Sequence, residues 1–171
     1  MTGKDPLFDV TDKICIVTGG LGQLGAQYVK ALHERDAKVA VWGRHMSRER
    51  AEKKFAELGF TLDENIRLYQ VDISKKDDLN QALDDIEAVW GAPDVLVNNA
   101  GIDTQPSAPP EVSGPFENFP EEVFREVVEV NLVGTFLACQ AVGARIKKAG
   151  KPGSIINIGS IYGMVSPIQD I

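Results

Sequence analysis

A short apolar run, Ile14-Cys15-Ile16-Val17, leads straight into Thr18-Gly19-Gly20-Leu21-Gly22-Gln23-Leu24-Gly25, and a helical pattern from about Gly22 to Arg35 opens there. Strand, glycine turn and helix in that order give a Gly-x-Gly-x-x-Gly spacing its meaning, and Gly20, Gly22 and Gly25 match it. One glycine permits the tight turn, a second lets backbone approach a pyrophosphate, and a third lets the helix pack closely on its strand. The helix N-terminus then offers free N–H groups and partial positive charge to phosphate. The stretch predicts a dinucleotide site. The competing reading is a tight turn with a structural role alone.

The same alternation continues along the chain. Lys13 to Val17, Val39 to Trp42, Ile66 to Val71, Asp94 to Val97 and Ser154 to Ile158 read as five strands. Helical stripes fill the gaps: Arg48 to Leu58 with Ser47 as cap, Lys75 to Val89 with Ser74 as cap, and Pro120 to about Lys148. Leu7, Phe8 and Val10 are expected to tuck against the first strand, after a loose polar arm from Met1 to Pro6. Gly101 to Phe119 is a proline-rich loop of a length usual for functional or mobile segments. Gly159 to Ile171 has loop character. Strand alternating with helix specifies an α/β fold: a doubly wound, Rossmann-like parallel sheet of order 3-2-1-4-5, in three α/β/α layers. At 171 residues the chain is the size of one domain, residues 1–171. Ligands in such a fold sit at the carboxyl ends of the strands, near the switch point between strands 1 and 4.

A net charge of −7 argues against broad nucleic-acid or anionic-membrane binding. No apolar run approaches membrane-spanning length in this reading and no signal-peptide pattern opens the chain, so a cytoplasmic setting is expected. Cys15 and Cys139 sit in apolar contexts and read as buried free thiols. His33 and His45 have no ligand spacing around them, so no metal site is expected.

Three further motifs fall at the carboxyl ends of the strands or beside them. Asn98-Asn99-Ala100-Gly101 follows the fourth strand, Asn131-Leu132-Val133-Gly134 lies in the long helix, and Ser160 stands just past the fifth strand. With the glycine loop, this set resembles the short-chain dehydrogenase/reductase family over Leu7 to Ser166. The resemblance implies an NAD(P)-dependent oxidoreductase moving hydride between nicotinamide and a small-molecule carbonyl or alcohol. It places Gly19, Gly20, Gly22, Gln23, Leu24 and Gly25 in the cofactor loop. Asp72 and Ile73 become adenine contacts, and Asn99, Ala100 and Gly101 the segment under the adenine ribose. Asn131 holds a water of the proton relay, and Ser160 bonds the substrate oxygen. Several have a structural alternative: Asp72 as a strand-ending turn residue, Asn98 and Asn99 as ties across the sheet through side-chain bonds to backbone, Asn131 as a satisfied core asparagine. The resemblance also implies a homodimer or homotetramer for the full-length form.

The end of strand 2 discriminates between cofactors. Trp42-Gly43-Arg44 offers no carboxylate for a ribose 2′-hydroxyl, and Arg44 suits a 2′-phosphate, so NADP is favoured over NAD. Arg48 is a second possible phosphate partner. The alternative is a solvated surface arginine after a turn.

The family mechanism uses a Tyr-x-x-x-Lys pair, which this sequence lacks. The reading is therefore of a domain incomplete at its C-terminus, lacking later strands, with strand 5 as an open edge. It is expected to bind cofactor weakly and to have no reductase activity alone. A noncatalytic nucleotide-binding module is the alternative from another class. A nucleotide-sugar epimerase or dehydratase is a third reading, since Thr-Gly-x-x-Gly-x-x-Gly and Ser160-Ile161-Tyr162-Gly163 resemble that branch.

Overall fold

In the computed structural model, which describes residues 6–103 and 115–165, the apolar runs form five parallel strands. β1 is Ile14–Thr18, β2 Lys38–Gly43, β3 Ile66–Gln70, β4 Val95–Asn98 and β5 Ser154–Asn157. Their order across the sheet is β3-β2-β1-β4-β5, as the alternation predicts. Register sets Ile16 beside Ala40 on one side and Leu96 on the other. β1 is thus central and buried throughout, which is why it reads as a continuous apolar run.

Helices α1 (Gln23–His33), α2 (Arg48–Glu57), α3 (Lys76–Val89), α4 (Glu121–Val128) and α5 (Thr135–Lys148) complete the layers. On one face Val29 of α1 and Phe55 of α2 join Val17, Val39 and Val41 in one core. On the other, Leu79, Leu83 and Ile86 of α3 and Leu137 and Val142 of α5 join Ile16, Trp42 and Leu96. Neighbouring strand residues go to opposite layers, as the period of two requires. Each fully buried Val, Leu, Ile or Phe contributes about 1.5–3 kcal/mol relative to exposure. Two such layers hold the strand ends in place.

At the amino end of the sheet Asp94 closes β1 onto the segment entering β5. Its Oδ2 accepts the Ile14 N–H at 2.9 Å, and its Oδ1 lies 2.9 Å from the Lys151 ammonium. Burial pushes the Asp94 pKa up. The Ile14 N–H, Lys151 and Lys13 outweigh it and hold the carboxyl below its ordinary range. Cys15 is a free core thiol, pushed up to about 12 by burial and then by Asp94; Cys139 is free and half-buried rather than buried.

Three local expectations are corrected and one holds. Ser47 does cap α2, accepting the Arg50 N–H at 3.2 Å. Ser74 does not cap α3, whose N-cap is Lys75. The Ser74 hydroxyl donates to Asp72 at 2.8 Å, and the Ser74 N–H donates to the same oxygen at 3.0 Å, so a local turn takes the side chain away from the helix. Leu7 and Phe8 lie exposed on a 3-10 turn, Pro6–Phe8, and only Val10 packs into the core, because the bond from Lys13 N–H to the Val10 carbonyl turns the chain into β1 there. The long helix is interrupted: Glu129–Gly134, between α4 and α5, is wound as a π-helix.

Together Glu121–Lys148 make a 28-residue column. Among the described residues it is the helix long and apolar enough to cross a membrane by length and composition, contrary to the sequence expectation. In this fold its apolar residues have a packing use, since Leu137, Ala138 and Val142 are buried against the sheet. Arg145 near its end bonds Asp84 at 2.7 Å and Glu87 at 2.5 Å, both on α3. Leu132 and Phe136 on the remaining face are exposed. Among the described residues β5 is the edge of the sheet, with Ile155 and Ile156 exposed.

Candidate cofactor site

The carboxyl ends of β1, β2, β3 and β4 open onto one cleft of about 520 Å³. The chain leaves β1 towards β2 on one side, while β4 lies on the other, which is the crevice geometry of an open α/β sheet. Ten of the twelve expected cofactor residues line it: Gly19, Gly22, Gln23 and Leu24 from the first loop, Arg44 after β2, Asp72 and Ile73 after β3, and Asn99, Ala100 and Gly101 after β4.

The glycine roles differ from those the spacing suggests. Gly19 has φ of +65°, and a Cβ there would come within 2.9 Å of the Ala100 Cα. The glycine of the tight turn is therefore Gly19 rather than Gly20. Gly20 lies behind the loop, where a Cβ would meet Val41 at 2.6 Å. Gly25 keeps the role of close helix packing, since a Cβ there would collide with the Gly19 carbonyl oxygen. Gly20 and Gly25 thus shape the cleft without lining it. Gly22 is the N-cap of α1 and supplies no side-chain cap. Ala26 N–H bonds back to the Gly22 carbonyl at 3.1 Å, and the N–H groups ahead of it lack intrahelical partners by geometry. A phosphate is the natural acceptor for them.

The β1 and β4 ends are tied by side chains. The Thr18 hydroxyl accepts the Asn99 N–H at 3.0 Å and the Ala100 N–H at 2.9 Å. The Asn99 amide donates to the Thr18 carbonyl at 3.0 Å. One strand further, the buried Asn98 amide donates to Asn157 Oδ1 at 2.8 Å. Asn99 ties to backbone as expected and also lines the cleft, whereas Asn98 ties across the sheet to the Asn157 side chain rather than to backbone.

Asp72 is half-buried on the far wall. Burial pushes its pKa up, but the Ser74 hydroxyl and N–H, with Lys75 and Arg44 nearby, hold it below the usual carboxylate value. Ile73 is buried and packs on the π segment, where a Cβ on Gly134 would meet it at 2.7 Å. Arg44 is exposed at the rim, its Nη1 3.7 Å from Glu126 Oε1 of α4. Arg48 does not line the cleft. It bonds Glu52 one turn along α2 at 2.6 Å. Arg50 lines it instead, donating to the His45 carbonyl at 2.8 Å. The Ser47 cap was the available signal, since it places Arg50 in the first turn, folded back on the β2 loop. Ile102 also lines the cleft, and so do Trp42, His45 and Met46, which were missed.

The two expected catalytic residues stand outside the cleft lining. Asn131 lies in the π segment and is exposed, so the core-asparagine alternative fails. Its amide clasps the Ile102 backbone, accepting the N–H and donating to the carbonyl, both at 2.8 Å. Its own carbonyl accepts the Thr135 hydroxyl at 2.9 Å. Ser160 is exposed in the turn after β5, its carbonyl accepting the Gly163 N–H at 3.0 Å. Much of the two expected loops, residues 104–114 of the proline-rich one and residues 166–171 after the fifth strand, lies outside the described residues. Among the described residues no group of three His, Cys, Asp or Glu side chains is placed to hold a metal.

Known proteins share this arrangement. The short chain dehydrogenase family model matches residues 13–170. A 3-alpha-(or 20-beta)-hydroxysteroid dehydrogenase of Mycobacterium tuberculosis (strain ATCC 25618 / H37Rv) is 33% identical over 156 residues, covering 91% of this chain and 54% of that protein. An NADP-dependent (R)-specific alcohol dehydrogenase of Lentilactobacillus kefiri is 35% identical over 153 residues, covering 90% of this chain and 56% of that one. The chain thus spans about half the length of the curated relatives it matches. A short chain dehydrogenase crystal structure from Leptospira borgpetersenii serovar Hardjo-bovis, with bound NAD+, aligns with a TM-score of 0.78 at 30% identity, covering 99% of this chain and 59% of that chain. The names of these proteins carry both NADP and NAD+. The match over residues 13–170, the sheet order and the glycine loop lead to one conclusion: this chain belongs to the short-chain dehydrogenase family.

Proposed function

We propose that the chain is the dinucleotide-binding part of an NAD(P)-dependent oxidoreductase that moves hydride between nicotinamide and a carbonyl or alcohol carbon of a small molecule. The observation that carries this reading is convergence: Gly22, Arg44, Asp72 and Asn99, from four different strand ends, line one cleft. The residues fit a dinucleotide. The uncapped N-terminus of α1 suits a pyrophosphate, and Gly19 and Gly25 let the loop, the β4 end and α1 approach closely beside it, since a Cβ at Gly19 would crowd Ala100 and one at Gly25 would strike the Gly19 carbonyl oxygen. NADP is favoured over NAD because Arg44 presents a planar fork of donors where a carboxylate would select the 2′-hydroxyl.

When bound, the nicotinamide supplies the hydride donor or acceptor, and the protein supplies position and electrostatics. In this reading the first turn of α1 neutralises the pyrophosphate. Asp72, held ionised, accepts from the adenine amino group. The Thr18–Asn99 tie keeps the β1 and β4 ends at a fixed spacing beneath the ribose. Ser160 donates its hydroxyl to the substrate oxygen, and Asn131, at the π turn, holds a water for proton delivery. The exposed apolar face around Leu132 and Phe136 supports a homodimer or homotetramer as the full-length form.

This chain covers about half the length of its relatives, so turnover is tested on the full-length gene product. The test is NADPH oxidation against a panel of ketones and aldehydes. Ser160→Ala is expected to lower kcat by about 10²-fold, with NADPH affinity unchanged. Carbonyl reduction that proceeds equally well without the Ser160 hydroxyl would overturn its role, and absence of turnover across the panel by the folded whole protein would overturn the oxidoreductase reading.

A further inference from the structure

Arg44 already has an anionic partner before any ligand arrives. Its Nη1 lies 3.7 Å from Glu126 Oε1, on a helix that follows β4 in the chain and meets the β2 loop beside the cleft. Beside the nucleotide cleft runs a second cleft of about 530 Å³, walled by Ser74 and by Phe124, Arg125 and Glu126 of α4. Arg44 and Asp72 line both clefts, so the Arg44–Glu126 pair stands on the partition between them. Neighbouring cations have other partners. Arg125 binds Glu121 one turn back at 2.5 Å, and Arg50 donates to the His45 carbonyl.

We propose that Glu126 is a specificity-determining residue: its carboxylate occupies Arg44 in the place a 2′-phosphate would take, and so reduces the advantage of NADP over NAD. The proposal rests on the dinucleotide reading above. Carboxylate and phosphate dock on a guanidinium through the same fork of N–H donors. A cofactor with a 2′-hydroxyl leaves the pair intact. A cofactor with a 2′-phosphate must displace Glu126 or crowd two anions around one cation. Asp72 is a further carboxylate close to Arg44, so the guanidinium stands in an acidic surround. The Arg44 side chain is 48% exposed and that of Glu126 58%. An exposed pair is weak, so displacing it costs a factor of about two to five in affinity rather than orders of magnitude. Glu126 adjusts the preference and does not reverse it.

The test measures NADPH and NADH dissociation constants by nicotinamide fluorescence for the wild type, Glu126→Gln, Arg44→Gln and the double variant. Glu126→Gln should tighten NADPH by about two- to five-fold and leave NADH within about two-fold. In the Arg44→Gln background the same change should have no effect on the ratio, which separates action through Arg44 from a general structural effect. Glu126→Ala repeats the measurement with a different side chain, and the thermal midpoint checks that each variant is folded. A Glu126→Gln shift that is equal for both nucleotides, absent, or independent of Arg44 overturns the inference alone. Binding of neither nucleotide by the folded wild type overturns the dinucleotide reading, and the inference with it.

Discussion

The Thr18 hydroxyl accepts two backbone N–H groups of the neighbouring β4 end, from Asn99 at 3.0 Å and Ala100 at 2.9 Å, while the Asn99 amide returns a bond to the Thr18 carbonyl. One buried hydroxyl therefore fixes the spacing of the two strands whose loops form opposite walls of the cleft. Thr18→Val keeps the shape and removes the acceptor, leaving both N–H groups short of a partner. The expected cost is about 1–3 kcal/mol, read as a lower urea midpoint with unchanged slope. NADPH affinity should fall in the same variant.

Gly19 and Gly25 are predicted to fail for different reasons. Gly19→Ala strains a backbone at φ +65° and crowds Ala100, an effect of about 1–2 kcal/mol on stability. Gly25→Ala drives a methyl onto the Gly19 carbonyl oxygen, an overpacking expected to cost about 1–3 kcal/mol or more. Gly59→Ala, with φ +78° but nothing near its Cβ, serves as the control: a stability loss from strain alone, with nucleotide affinity unchanged. Urea melts and NADPH titrations of the three variants check this.

Asp94 should make stability depend on acid. Its folded pKa lies below the ordinary 3.8, so its stabilisation is present above that value and is lost as pH falls through the folded pKa. Asp94→Asn is expected to cost about 1–3 kcal/mol at neutral pH, through loss of the charged partner of Lys151 and a weaker acceptor for Ile14. Melts run from pH 7 to pH 3 should show the wild type and variant converging below 3.8. A constant gap across that range would remove the charge from the explanation.

Asn131→Ala removes the two bonds that clasp the Ile102 backbone. Because the site is exposed, the global stability loss should be small, within about 0.5–1.5 kcal/mol. The sharper readout is local: hydrogen exchange at the Ile102 amide should accelerate well beyond that of the β4 amides.

The sheet order was legible because the strands buried on both faces carry continuous apolar runs, and because each was punctuated by a glycine or a capping residue. Most of the cleft wall was legible for the same reason, since loops at strand ends are adjacent both in sequence motif and in space. Spacing carries no dihedral angle, so it assigned the tight turn to Gly20 when Gly19 has the positive φ. Ser74 misled because its hydroxyl is taken up by the Asp72 carboxylate in a local turn, and the helix starts one residue later with Lys75 as its N-cap. Arg50 and Arg48 look alike in a string; the helix start sends one over the cleft and the other along the helix face. Glu126 left no trace at all, because its contact with Arg44 joins residues far apart in the chain and follows no motif. The π turn at Asn131 is equally silent, since Glu129–Gly134 has the composition of ordinary helix.

The central claim is that the cleft at the β1–β4 ends holds a dinucleotide. Its most direct test is amide chemical-shift mapping of the isotopically labelled protein titrated with NADPH. Saturable shifts should cluster at Gly22, Gln23, Leu24, Asp72 and Ala100, with the α3 amides from Leu79 to Ile86 unmoved. Saturable shifts confined to other surfaces, or no saturable shift in a folded protein, would contradict the account.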